Sequence, residues 1–312
     1  MKKNCFFIAV FTCALCFTHG CSQSGHNAAT IRLGYLQNDL HHLPAFVALE
    51  QGFYENEGLH VSIGGVFRAG PEEMSAFAAG ELDAGYVGLA PAATAALNGI
   101  ADITILAQVN TEGSGLVCRG TITSIKQLPG TTVAIPGHAT MQDCLIQKGL
   151  QDNGISTRDL RLMVLKPPEM MPAVSTGNID CFIAWEPYPA QAEAAGTGAV
   201  IARSSELWKG HPCCVLIAHD RFARNRPDAA AKLIRAHRHA CRFIAEHPDE
   251  ALSIALRYTG MPPATIRKAM DHIRYAPDID REKIDTFTGF LSDLNYVSPA
   301  RGKGQLNFFT ED

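Results

Sequence analysis

A 13-residue unit occurs twice in this chain, 97 residues apart, and that spacing restricts the fold more than any composition value does. Residues 71–83 and 168–180 share six identities: Pro71/Pro168, Glu72/Glu169, Met74/Met171, Ala76/Ala173, Gly80/Gly177 and Asp83/Asp180. Each copy runs into an apolar stretch, 84–88 and 181–185, and each stretch meets a proline-bearing helix start. The unit has a mechanical meaning. A helix stops at a glycine that tolerates the left-handed C-cap, and an acidic-flanked turn feeds the next buried strand. Recurrence at a fixed distance predicts two similar lobes.

The flanking sequence continues the same grammar. Residues 31–36 read as a first strand with the polar exit Gln37-Asn38-Asp39, and 44–51 as an apolar helix closed by Gly52. Strand 61–63, helix 72–79, strand 82–88 and a helix over 91–98 complete a first lobe. A crossing strand at 115–119 leads to strand 132–135, the loop 136–140, an amphipathic helix over 141–153 and strand 162–165. The repeat unit then returns, and 213–218 reads as a strand crossing back. Strands separated by helices argue for parallel sheets, hence an α/β fold. From Arg226 the chain reads as helical, with Pro227 at a helix start, Pro248 between two helices, a turn at 260–263 and a last helix over 284–294. The expected organisation is a leader over 1–20, a tether over 21–30, lobes over 31–114 and 115–215, and a return to the first lobe over 216–312. Two crossings make a two-strand hinge, which lets lobes close around a ligand.

Composition matters at two points. The balance of 27 basic and 31 acidic residues provides no field to gather nucleic acid. Ten cysteines in 312 residues are too sparse for a disulfide-stapled scaffold. Four of them fall in the first 21 residues, where Lys2 and Lys3 precede an apolar run over 6–17 that is too short to span a bilayer. The run ends at Thr18-His19-Gly20-Cys21 before a polar stretch. It resembles the lipobox of bacterial lipoproteins, although that family favours Leu where Thr18 stands. The resemblance implies export and lipidation of Cys21, and plain secretion is the other reading. Loss of the two lysines takes the net charge from −4 to −6.

Four further segments carry a family resemblance. Ala48-Leu49-Glu50-Gln51-Gly52-Phe53-Tyr54-Glu55-Asn56-Glu57-Gly58-Leu59 is similar to the first-lobe helix of substrate-binding proteins for nitrate, sulfonate, taurine and bicarbonate transporters. The same family includes thiamine-precursor binders. Ala79-Gly80-Glu81-Leu82-Asp83-Ala84-Gly85 resembles its aliphatic-Gly-x-x-Asp unit, and 133–137 and 184–188 resemble its second-lobe loops. The resemblance implies a type II periplasmic-binding-protein fold and capture of a small-molecule solute between the lobes. It also implies ABC permease and ATPase partners, a monomer, membrane attachment at the N-terminus only, and no cofactor.

In such a fold the ligand meets the loops beyond the strands' carboxyl ends, where helix N-termini offer N–H groups. The candidates are Asn38, Asp39, His41 and His42 after the first strand, and Gly88 and Leu89 after the third. Thr111 and Glu112 stand near the crossing, Gly137, His138 and Thr140 in the second lobe, and Trp185 and Glu186 at the end of the duplicated strand. Gly88 and Gly137 equally suit tight turns, and Thr140 an N-cap. Asp83 and Asp180 read as turn or capping residues. With Asp39, Glu112 and Glu186 on one cleft, a donor or cationic solute is expected over a bare anion, and Trp185 would supply a stacking face. His41, His42, His211, Cys213 and Cys214 invite a metal reading, but adjacent strand residues point to opposite faces, so no metal site is expected. One disulfide is possible among the later cysteines, with no pairing legible. An enzyme on the same fold, akin to pyrimidine or menaquinone-pathway enzymes, is the alternative class. The chain has no nucleophile elbow, zinc-protease motif, phosphate loop or dinucleotide turn, so none is expected.

Overall fold

The computed structural model of the chain describes residues 30–297 and 305–311; the expected leader and the Cys21 anchor lie outside the described residues. The chain opens with β1 (Ile31–Leu36), the apolar helix α1 (Leu43–Glu50) and the short α2 (Phe53–Asn56). β2 (Val61–Phe67), α3 (Gly70–Ala78), β3 (Ala84–Gly88), α4 (Leu89–Leu97) and β4 (Ile103–Glu112) follow. Gly113 carries the chain into β5 (Ser114–Cys118), β6 (Thr132–Ile135), α5 (Met141–Asp152) and β7 (Arg161–Val164). Next come α6 (Pro167–Ser175), β8 (Cys181–Trp185), α7 (Tyr188–Ala194), β9 (Ala199–Arg203) and α8 (Ser204–Leu207). β10 (Pro212–His219) crosses back. The tail is α9 (Asp220–Asn225), α10 (Pro227–Glu246), α11 (Pro248–Thr259), α12 (Pro263–Met270), β11 (Ile273–Tyr275), α13 (Arg281–Asp293) and β12 (Asn307–Phe308).

Two sheets result, and their cores have the same order. The first runs β2-β1-β3-β10-β4-β11, with β12 also on β4; the second runs β7-β6-β8-β5-β9. In each, the lobe's opening strand has parallel partners on both sides. The next strand outward is antiparallel and arrives from the other lobe: β10 beside β3, and β5 beside β8. This exchange produces the two crossings, at Gly113 and at 208–211.

The repeat is visible to the residue. α3 and α6 begin and end 97 positions apart, and so do β3 and β8. Gly80 and Gly177 close the helices at φ 71° and 75°, a conformation costly for any residue with a Cβ. The two aspartates then hold the neighbouring strand. Asp83 accepts the Arg32 N–H at 2.9 Å and pairs with its guanidinium; Asp180 accepts the Thr132 N–H at 2.8 Å and pairs with Arg119.

β4 alternates apolar residues at 103, 105, 107 and 109 with the polar Thr104, Gln108 and Asn110, broken only by Leu106, and the polar residues are buried as well. The disulfide joins Cys118 and Cys181, which face each other across the antiparallel β5–β8 pair with Cα atoms 4.1 Å apart. In the first lobe's core, Tyr86 OH lies 3.3 Å from Tyr54 OH and 3.1 Å from His237 Nδ1, and His237 Nε2–H donates to Gln108 O at 2.9 Å. Among the described residues no helix is long and apolar enough to cross a membrane.

Candidate functional site

A small pocket lies between the lobes where the strand ends of the two sheets meet. Leu36, Asp39, His41, Gly70, Gly88, Pro91, Cys213 and Cys214 line it from the first sheet's side, and Thr140, Met141, Gln142 and Trp185 from the second's. Gly88 and Trp185 occupy the same place in the two copies of the repeat, each ending its strand, so the duplicated unit walls the pocket from both sides. The first turns of α4 and α5 meet here as well. Ala90 N–H donates to Met141 Sδ at 3.2 Å, and a Cβ at Gly88 would stand 3.1 Å from Met141 Cγ. The cavity is about 20 Å³, roughly the room one water requires. A larger hollow of about 730 Å³ lies elsewhere on the first lobe, lined by Asp220, Arg235, Phe308 and neighbours.

The pocket floor comes from the turn after β1. Asp39 caps the 3₁₀ turn Leu40–His42 by accepting the His41 N–H at 2.9 Å, and Leu40 N–H donates across the lobes to Glu186 O at 3.1 Å. His41 Nε2–H donates to Gly113 O at 2.8 Å, which aims Nδ1 at two sulfurs: Cys213 Sγ and Cys214 Sγ each lie 3.6 Å away, and 3.9 Å from one another. The opposite-faces expectation for Cys213 and Cys214 is therefore overturned. The β10–β4 register pairs Pro212 with Thr111 and Cys214 with Asn110, so Cys213 is the extra residue of a bulge. Asn110 Oδ1 accepts the Cys214 N–H at 3.2 Å there.

Electrostatics within this buried cluster are uneven. Burial pushes the Asp39 carboxyl up to about 7, against the pull of His41. Burial also works against a charged His41, but Cys213 and Asp39 outweigh it and hold the imidazole at about 10. A hydrogen bond from Cys214, aided by His41, holds the Cys213 thiol well below its ordinary range despite burial, whereas burial and the Cys213 neighbour push Cys214 well above it. Burial depresses His42, whose Nδ1 accepts the Leu36 N–H at 3.1 Å.

The remaining sequence candidates scatter. Asn38, at φ 53°, is half-buried beside Tyr188 rather than on the pocket wall. Leu89 is buried at the start of α4, and Gly137 is buried behind Thr140. Thr140 lines the pocket, but its hydroxyl donates to Gly137 O at 2.7 Å and accepts the Asp143 N–H at 3.3 Å, so it serves as the α5 N-cap and not as a ligand donor. His138 is largely exposed and borders a separate hollow with Pro71, Met74 and Ile100. Thr111 and Glu112 sit at the hinge; Glu112 Oε1 accepts the Gly210 N–H at 3.2 Å and its carboxylate faces Arg274 at 3.7 Å. Glu186 is fully buried but turned into its own lobe, 2.7 Å from Arg203 and accepting the Ala190 N–H at 3.1 Å. Of the three carboxylates expected to charge the cleft, only Asp39 borders the pocket, so the acidic-cleft argument for a cationic solute fails. Sequence reasoning also missed Met141 and Gln142, although their place just after the Thr140 cap was a usable signal.

The profile of the NMT1-like family matches residues 24–257, three-quarters of the chain. The chain belongs to the NMT1-like family. Among relatives of this NMT1-like chain is the nitrate import ATP-binding protein NrtC of Synechocystis sp. PCC 6803, 30% identical over 179 residues, which are 55% of this chain and 27% of that protein. The chain thus spans about a quarter of that relative's length. Two solved structures are similar in fold. The alkanesulfonate-binding protein SsuA from Xanthomonas axonopodis pv. citri, bound to MOPS, has a TM-score of 0.77 at 17% identity, covering 88% of this chain and 96% of that one. The periplasmic nitrate-binding protein NrtA from Synechocystis PCC 6803 has a TM-score of 0.78 at 20% identity, covering 88% and 83%. The NMT1-like chain has the periplasmic-binding-protein fold that its family resemblance implied.

Proposed function

We propose that the chain is the solute-binding component of an ABC importer, exported and tethered outside the cytoplasm through Cys21, delivering a small solute to permease and ATPase subunits. The observation that carries the reading is the pocket walled by equivalent positions, Gly88 and Trp185, of the two repeat copies across a two-crossing hinge. NrtC, SsuA and NrtA support it as relatives and neighbours named for nitrate import, alkanesulfonate binding and nitrate binding. The solute presents an acceptor group, such as a sulfonate or carboxylate, to the first turns of α4 and α5, where helix N-termini favour negative charge. Trp185, whose indole N–H has no protein partner and is buried, supplies a further donor. The pocket as it stands admits a water-sized group, so a larger solute enters by the lobes parting at Gly113 and 208–211.

The test is a thermal-shift screen over nitrate, bicarbonate, alkanesulfonates, carboxylates and heteroaromatic amines, followed by small-angle scattering with each hit. A solute at a hundredfold its Kd stabilises by about 2.7 kcal/mol. An anionic hit that contracts the protein and is lost in Trp185→Ala supports the reading. Stabilisation by none of the panel, with unchanged scattering, sinks it.

A further inference from the structure

The geometry points to a binding site for one thiophilic metal ion of the zinc type, formed by His41 Nδ1, Cys213 Sγ and Cys214 Sγ at the floor of the interlobe pocket. Zinc bonds of about 2.3 Å to sulfur and about 2.0 Å to nitrogen, set at tetrahedral angles, place ligand atoms about 3.8 Å (S···S) and about 3.5 Å (N···S) apart. The chain holds its sulfurs 3.9 Å apart and each 3.6 Å from Nδ1. The triangle already has the dimensions that a single ion imposes.

Orientation and setting agree with that size. Ligating imidazoles are usually aimed by donating their second ring N–H to a carbonyl or carboxylate. His41 does this toward Gly113 O at 2.8 Å, which turns Nδ1 to the two sulfurs, with Asp39 Oδ1 3.3 Å from the same nitrogen. All three residues are buried, yet all three border the same cavity of about 20 Å³. The fourth position of a tetrahedral ion therefore opens onto space for a water or one donor atom of a solute, the pattern of three protein ligands and an open site. An ion there takes the place of the protons shared among Nδ1 and the sulfurs. Two sulfurs and an imidazole select zinc-like ions over magnesium or calcium.

The backbone is built toward this arrangement. A regular β10 would send Cys213 and Cys214 to opposite faces; the bulge turns both thiols to His41, and the Asn110 side chain accepts the N–H of Cys214 beside it. A second triad, Asp39, His42 and Cys214, is spatially close but chemically unsuited. His42 Nδ1 accepts the Leu36 N–H, so the proton sits on Nε2, the atom nearest Asp39, and no lone pair remains there.

The inference does not rest on transport: metal binding is measured on the purified chain with no solute or permease, so either reading can fail alone. The experiment titrates Zn²⁺ into metal-stripped full-length protein against a chromophoric chelator, repeats it with Co²⁺, and maps free thiols by alkylation and mass spectrometry. We expect one Zn²⁺ per chain, a thiolate-to-cobalt charge-transfer band, and protection of Cys213 and Cys214 from alkylation by Zn²⁺. Cys213→Ala, Cys214→Ala and His41→Gln should each weaken binding about 10–100-fold or more, with circular dichroism confirming a fold. Cys144→Ala, which removes a buried free thiol outside the cluster, should leave binding unchanged. Any of three results overturns the proposal: no stoichiometric Zn²⁺ in protein whose Cys213 and Cys214 are free, a Cys213–Cys214 disulfide in the exported chain, or Zn²⁺ binding indifferent to the folded variants.

Discussion

The Glu186–Arg203 pair gives a prediction whose sign is counter-intuitive. Glu186 is fully buried, pairs with Arg203 at 2.7 Å and caps α7 through the Ala190 N–H. Burial nevertheless outweighs the arginine and lifts the carboxyl from 4.5 to about 7. The folded state therefore holds a proton that the unfolded chain has released between pH 4.5 and about 7, so this group's contribution to stability falls as pH rises through that window. At about 1.4 kcal/mol per pH unit, the loss comes to about 3 kcal/mol. Glu186→Gln removes the titration, so its stability relative to wild type should improve by about 3 kcal/mol between pH 4.5 and 8. Arg203→Met removes the cation and leaves the buried carboxylate alone, which should cost about 3–5 kcal/mol at pH 8. The double variant should recover the part due to Glu186, while Glu193, 2.8 Å from Arg203 and 3.0 Å from Lys268, keeps one of its cations. Urea unfolding followed by circular dichroism at pH 5 to 8 measures all four proteins. Asp39, which also titrates near 7, is common to them and cancels in the differences. Parallel pH curves for wild type and Glu186→Gln, or equal losses in Arg203→Met and the double variant, would refute the reasoning.

Three other outcomes follow from single features. Burial lowers His237 from 6.5 to about 4, so stability present above pH 6.5 is lost as pH falls toward 4, by about 3 kcal/mol; His237→Phe should flatten that acid limb in the same unfolding assay. Reducing Cys118–Cys181, which closes a loop of 63 residues, should cost about 4 kcal/mol on the chain-entropy account, read as a lower urea midpoint. Gly113 sits at φ 89°, and a Cβ there would stand 2.3 Å from His41 Nε2, so Gly113→Ala should cost more than the about 1–2 kcal/mol of left-handed backbone strain and should displace His41, detectable as a lower Tm and a shifted imidazole resonance.

What the sequence determined by itself was the duplicated architecture. The 97-residue offset named the helix stops at Gly80 and Gly177, the strands beyond them and the existence of two lobes, because caps, turns and buried strands are set by neighbours along the chain. Pro227 likewise marked a helix start in the tail and Pro248 the break between two helices, since a proline's missing N–H costs nothing at a helix's first position. What only the tertiary structure decided was where side chains meet. β4 alternates apolar residues at 103, 105, 107 and 109 with Thr104, Gln108 and Asn110, and only its neighbours in the fold bury the polar face as well. Glu112 and Glu186 stand at strand ends much as Asp39 does, yet Gly210, Arg274 and Arg203 draw them away from the pocket. Cys213 and Cys214 read as opposed neighbours until a register slip against β4 turned both toward His41, 172 residues away. A one-residue change of register reverses a side chain's direction, and register is fixed by the partner strand rather than by the strand's own residues.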